Sequence, residues 1–315
     1  VGQRAAATLT PPPGLEFDYS QPVGEPALVA PDSVSWRVFK NPVSLFIGGI
    51  AAVILELAEP SVRAGVWDHS TFRAQPLLRM RRTAAAAMMT VYGPRSAAER
   101  MIAGVVRAHG RVKGVNHLGE PYEANDPKLL DWVQATASYG FVEAYSQFVA
   151  PLSDEEKSRA FREAQVSAHL YGATGAPGSL EAWRALLATF TPALEPSDVL
   201  EEFLTVMKAA DLETGAPKAL QDILIRAAFE IIPSDLRCKL GLEARRVSRF
   251  QRAAVKLAAS AAERIPAQSA PPVQASIRLG LAPFYLYDRA RTHRYGEVGP
   301  GLARPSSDEG RPSQS

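Results

Sequence analysis

The chain has 315 residues, of which 46% are hydrophobic and 22% charged, with a formal net charge of +2. That composition supports a sizeable buried core, and a near-neutral charge gives no reason to expect a nucleic-acid partner. A single cysteine, Cys238, excludes an internal disulfide framework and any zinc site built from several thiolates.

Residues 1–35 are rich in proline, alanine and glycine, with Pro11-Pro12-Pro13 among them, and read as an extended N-terminal arm. They lack a basic-then-apolar secretory pattern, so a cytoplasmic, reducing setting is the expectation. Val43–Ala58 is the longest apolar run, broken by Gly48-Gly49. It falls short of the roughly 20 residues a bilayer span needs and reads as a buried core helix, so no integral membrane span is expected.

Between Pro42 and Arg264 alternating strand patterns are scarce and helix punctuation is frequent. Ser96…Glu99 and Ser153…Glu156 have capping-box spacing, in which each side chain satisfies an orphan backbone N–H. Asp126-Pro127 places a capping carboxylate before a proline at the first helical position, and Pro76, Ser197 and Ser234 open further candidates. The spacing predicts helices near 43–58, 60–67, 76–91, 96–113, 127–149, 153–171, 179–189, 197–210, 216–230, 234–240 and 243–263. Gly114–Glu123 looks hairpin-like and is the one predicted extended piece. Short connections and the lack of an internal repeat predict an all-α, single globular multi-helix domain over 36–297. The polar, proline-rich residues 298–315 are predicted to be a disordered tail.

Chemistry concentrates in Asp68–Lys113. In the helix predicted over 96–113, Ala98, Met101, Ile102, Val105 and Val106 form an apolar stripe, and His109 falls on it. A lone core histidine is more often a satisfied hydrogen-bonder than a metal ligand. The preceding helix adds context: Arg79 and Thr83 share a face, and four alanines, Ala84–Ala87, leave room beside it. Between Ser70 and Lys113 nine basic residues face one acidic residue, Glu99. A solvated basic face is the ordinary explanation. A flat apolar cofactor carrying carboxylates would need the same combination of ligand, small residues and cations. His117, His169 and His293 have no partner at metal spacing.

These residues carry a family resemblance. Asp68-His69-Ser70 with Phe72, Pro76-Leu-Leu-Arg79-Met-Arg-Arg82-Thr83, and Arg107-Ala-His109-Gly-Arg111-Val-Lys-Gly114 come in the right order and spacing. Gly119, Tyr122, Ala124, Asp126-Pro127, Leu129-Leu130 and Trp132-Val133 continue the match. Over roughly Pro42 to Tyr145 the chain resembles the oxygenases grouped with the mycophenolate-pathway oxygenase and the latex-clearing rubber oxygenases. The resemblance implies a globin-like core binding haem b, with His109 as iron ligand and Arg79 and Thr83 beside the cofactor. Arg107 and Arg111, flanking His109, are carried over as further cofactor-binding candidates. Rubber oxygenases have a lysine where Arg82 stands, and arginine, which stays protonated, is a poor iron ligand. Gln134 stands where many relatives have histidine.

The resulting expectation is a haem-b-dependent oxygenase acting with dioxygen on an apolar substrate, such as an unsaturated lipid, a terpenoid or a polyisoprenoid, by C=C cleavage. His69, Arg82 and Thr83 are the catalytic candidates; His109, Arg79, Thr83, Arg107 and Arg111 are the cofactor candidates. Two alternatives stay open on the sequence: a haem-binding sensor or carrier without turnover, and a helical interaction module without a cofactor.

Overall fold

The computed structural model describes residues 16–69, 72, 74–210, 218–264 and 267–288. The tail 298–315, residues 1–15 of the arm, His293 and Ser70 lie outside the described residues. In chain order the helices are α1 (Val34–Phe39), α2 (Pro42–Ala58), α3 (Pro60–His69), α4 (Pro76–Tyr92) and α5 (Arg95–His109). An antiparallel hairpin comes next, β1 (Lys113–Val115) and β2 (Pro121–Glu123), with Gly114 opposite Tyr122. Then come α6 (Pro127–Phe148), α7 (Asp154–Tyr171), α8 (Leu180–Phe190), α9 (Asp198–Ala209), α10 (Lys218–Ile231), α11 (Ser234–Lys239), α12 (Arg249–Ala262) and α13 (Pro271–Arg278). Among the described residues the fold is therefore helical apart from one two-stranded sheet.

α2 and α6 form its axis. Asn41 caps α2 by accepting from the N–H groups of Val43 and Ser44, and Pro42 takes the first helical position. Asp126 and Pro127 start α6 in the same way. The two helices touch backbone to backbone: a Cβ on Gly48 would lie 2.6 Å from the carbonyl oxygen of Gly140. A Cβ on Gly140 would lie 2.5 Å from that of Gly48. Beyond this crossing the Trp132 indole N–H donates to the carbonyl of Leu55, 3.2 Å away. Trp132 stacks on Trp183 of α8 and on Phe190, with ring centroids 5.8 and 4.5 Å apart, and Tyr139 extends the stack. Val43–Ala58 is thus a core helix, as expected. Among the described residues no single helix is long and apolar enough to cross a membrane.

Three expectations about elements need correction. The Ser96…Glu99 capping box does not form: α5 begins at Arg95, and the Ser96 N–H donates to Glu25 Oε1 at 2.6 Å. The arm supplies the cap, a long-range partner that local spacing does not reveal. α5 ends at His109 rather than 113, because the chain turns through Gly110 and pairs Ala124 N–H with the Val112 carbonyl at the start of the hairpin. The helix expected over 243–263 is a short 3-10 turn at Glu243–Arg245 and then α12, which Ser248 and Gln251 open with a capping box. The Ser153…Glu156 box forms as expected. α1 and α13 fall outside every predicted helix; Trp36 and Arg278 within them are completely buried.

Arg278 ties the two ends of the chain together. Its guanidinium donates to the carbonyls of Glu25 (2.8 Å), Tyr19 (2.6 Å) and Tyr92 (2.7 Å). Lys40, also buried, pairs with Glu263 at 2.7 Å and donates to the Leu286 carbonyl at 2.6 Å. Glu263 also accepts from Tyr145 and Asn41.

The glycine crossing gives a direct test. Gly140→Ala forces a methyl into the Gly48 backbone, and neither helix can shift without disturbing the aromatic stack. The variant should lose about 3 kcal/mol or more of stability, the upper end for overpacked cores. Chemical denaturation of both proteins measures it; a loss under about 0.5 kcal/mol, typical of a surface change, would mean that the helices are free to separate.

Candidate functional site

α4 and α5, joined through Gly93 and Pro94, are well buried near that connection and only part-buried away from it. In α4 the buried side chains are Met88, Val91 and Tyr92, all near the connecting turn. From Pro76 to Ala87 no side chain is fully buried, although Leu77, Leu78, Met80 and Ala84–Ala87 are apolar. α5 mirrors this pattern. Ala97, Ala98 and Ile102 are buried, whereas Val105, Val106 and His109, further along the same stripe, are less enclosed. In these halves the apolar side chains are only part-buried, with Met80 packed on the main core and Val106 on the Leu28–Ala98–Ile102 cluster, and this half-buried apolar patch is the wedge.

Polar groups from four helices come together around Arg79 and Glu56. Arg79 of α4 hydrogen-bonds through its guanidinium to the Thr83 hydroxyl one turn on, and Thr83 Oγ1 donates to the Arg79 carbonyl at 3.0 Å. Arg79 lies within electrostatic reach of Glu56 of α2 and His109 of α5. Glu56 lies beside Thr136 of α6, which is completely buried and donates its hydroxyl to the Val133 carbonyl at 2.9 Å.

Burial dominates the electrostatics here. It pushes the Glu56 carboxyl up to about 7, against the smaller opposing pull of Arg79 and the Thr136 hydroxyl. Burial, reinforced by the Arg79 charge, holds the His109 imidazole below the usual histidine range. The ring therefore stays neutral and keeps a lone pair. Its Nδ1 is buried with no hydrogen-bond partner among the described residues. A buried imidazole nitrogen without a partner is costly in a purely structural histidine, and a metal ion accepts such a lone pair.

The other predicted residues scatter. Arg82 and Thr83 are exposed on α4, beside Arg79. Arg107 and Arg111 are exposed, and Arg107 sits on the side of α5 opposite the apolar stripe, away from His109. His69, at the end of α3, is exposed and pairs through Nε2 with the Tyr122 hydroxyl at 3.2 Å. It stands at the hairpin, and no contact among the described residues joins it to Arg79 or His109. His117 is exposed and pairs with Glu195 at 2.9 Å, beside Arg63. Gln134 is part-buried on α6.

Glu56 was not among the predicted site residues. A lone carboxylate inside the apolar run Val43–Ala58 was the available signal, since an ionisable group is expensive to bury without a partner or a function.

The match to known proteins fits this placement. Residues 36–263 match the family model described as ER-bound oxygenase mpaB/B'/Rubber oxygenase, catalytic domain, a span that includes every helix from α2 to α12. The chain belongs to this family of oxygenase catalytic domains and is accordingly an oxidoreductase. No curated protein and no solved structure matches it.

The raised Glu56 carboxyl predicts a pH dependence. Its folded value, near 7, lies above the ordinary 4.5, so the folded state holds a proton that the unfolded chain releases. The stabilisation this gives is complete below the unfolded value and is lost as pH rises towards 7. Between pH 4.5 and 7 the wild-type protein should lose up to about 3 kcal/mol relative to Glu56→Gln, which cannot titrate there. Urea denaturation of the two proteins at pH 5 and pH 8 measures this; an equal stability difference at both pH values would show that Glu56 holds no such proton.

Proposed function

We propose that the chain is a haem-b-dependent oxygenase that uses dioxygen to cleave a carbon–carbon double bond in an apolar substrate, with a globin-like arrangement around the cofactor. Substrates of the expected class are unsaturated lipids, terpenoids or polyisoprenoid-like molecules. The observation that carries this reading is His109: an imidazole held towards its neutral form, with an unpartnered buried nitrogen, on the part-buried apolar stripe of α5. Among the described residues no three His, Cys, Asp or Glu side chains are grouped to hold a metal ion. An iron bound by His109 alone must therefore bring its other ligands with it, as a porphyrin does. The oxygenase family independently supports a substrate and dioxygen as partners.

The roles come from position. His109 would hold the iron. The small side chains of α4 on the Arg79–Thr83 face, Ala86 and Ala87, would leave room for the ring, while Arg79, with Arg82 and Thr83 at the margin, would meet its propionates. Bound there, haem supplies the one-electron and dioxygen chemistry that no side chain offers. Glu56, titrating near neutrality, is the group suited to hold or move a proton at its carboxyl oxygen, with Arg79 and Thr136 positioning it. His69, engaged with Tyr122, is the less suited of the two.

His109→Ala should fold and lose stoichiometric haem, read from the Soret band of the purified protein. His117→Ala, whose partner is Glu195 on the surface, is the control and should keep it. Full haem retention in His109→Ala would end the assignment. Arg79→Ala removes a charged hydrogen-bonding partner worth roughly 1.5–3 kcal/mol, which corresponds to about ten- to a hundred-fold in haem affinity. Unchanged affinity on haem titration would place Arg79 outside the cofactor site.

A further inference from the structure

α12 carries an apolar face that the described residues leave uncovered. Its buried side chains are Val255 and Ala259, which point into the core. On the opposite side Phe250, Ala253, Ala254, Leu257 and Ala261 are all exposed. At helical spacing these five fall within an arc of roughly 100°, a continuous apolar strip. Phe250 and Leu257, two turns apart, are 74% and 73% exposed, the most exposed large apolar residues on any described helix. The helix is therefore amphipathic twice over, with one apolar face inward and one outward.

Cations border the outward strip. Arg249 and Lys256 are exposed along one edge, two turns apart, and Arg264 stands just beyond the C-terminal end. Neighbouring arginines are spoken for: Arg245 pairs with Glu201, Arg246 with Glu230 and Glu243, and Arg252 with Glu230. Arg249, Lys256 and Arg264 have no carboxylate partner among the described residues. Arg249 lies over the Phe250 ring, 5.1 Å from its centroid, which presents charge and aromatic together.

We infer that the outer face of α12 is a docking surface for an anionic phospholipid membrane. Large apolar side chains flanked by unpaired cations are what a helix lying in a headgroup layer requires. A second copy of the chain fits less well. A strip about 18 Å long and about 10 Å wide offers about 180 Å², against roughly 800 Å² per partner in a stable interface. The unpaired cations likewise call for a partner rich in negative charge, which an anionic headgroup layer presents continuously. Membrane docking of this kind needs no transmembrane span, and it does not rest on the haem reading, since α12 contributes no residue to the wedge.

The test is vesicle co-sedimentation of the full chain with phosphatidylcholine alone and with about 30% phosphatidylserine added. Wild-type protein should bind the anionic vesicles and bind pure phosphatidylcholine far less. Phe250→Ser with Leu257→Ser should weaken binding by about tenfold or more, as should Arg249→Glu with Lys256→Glu, the latter also flattening its salt dependence. All four positions are exposed, so an unchanged melting temperature serves as the folding control. Wild-type protein that ignores both vesicles overturns the proposal, and so does a serine double variant that binds like wild type. A dimer in sedimentation velocity that the serine variant breaks, without vesicle binding, would overturn it too and assign the face to a second copy.

Discussion

Gly48 and Gly140 meet backbone to backbone where α2 crosses α6, and that contact governs the placement of the candidate site. Two helices this close leave no room for side chains between them and no freedom to slide. Their relative register is thereby set over their whole length. α2 and α6 run antiparallel from the crossing, so residues later in α2 meet residues earlier in α6. The Gly140 position abuts Ala52 one turn along. Two turns along, the Leu55 carbonyl receives the Trp132 indole, and Glu56 reaches Thr136. The carboxylate at the candidate site is thus delivered by a glycine pair two turns away. Any side chain at the crossing would move Glu56 as well as cost stability.

Buried charges in this protein fall into two kinds, and the difference locates function. Arg278 and Lys40 are saturated. Three carbonyls meet the guanidinium of Arg278, and Lys40 has a carboxylate, a carbonyl and the Tyr287 ring about it. Their desolvation is offset, and each fastens segments far apart in sequence. Glu56 and His109 are treated differently. The first has the Thr136 hydroxyl beside it and a shared arginine; the second has a ring nitrogen with nothing to bond among the described residues. Removing the charge is the cheapest response to such burial, and both groups are shifted towards neutrality. Undersatisfied ionisable groups that persist together at an apolar patch are what a binding and proton-handling site requires.

Much of this was legible in the sequence, and the misses have common causes. Capping residues adjacent to their helices, Asp126 and Ser153, report on groups within a turn of themselves, so local spacing suffices. The inward direction of His109 was readable from the stripe Ala98–Ile102–Val105, because helical periodicity needs no tertiary knowledge. The Ser96 box failed because Glu25, 71 residues away in the chain, holds the Ser96 N–H instead. α13 was missed since its anchor, Arg278, is a charged residue in a position that periodicity assigns to solvent. Arg107 and His109 illustrate the limit most clearly. Two residues apart on one helix, they belong to opposite sides of it, and a motif match alone carries both to the site.

The half-buried wedge is itself a thermodynamic statement. Leu77, Leu78 and the four alanines of α4 keep part of their apolar surface accessible to water, and so does Val105 of α5. Closing α4 on α5 would bury that surface at about 25 cal/mol per Å², and larger side chains than alanine would fill what closure left. Four consecutive alanines do neither. They supply strong helix propensity, which keeps this part-buried stretch of α4 helical, while adding little bulk of their own. A flat apolar ligand seated there recovers the missing burial, so its binding energy adds to the stability of this half of the molecule in proportion to the logarithm of its concentration over its dissociation constant. The alanine run therefore serves opposite needs at once: a helix rigid enough to hold Arg79 in place, and a face too small to close over the site.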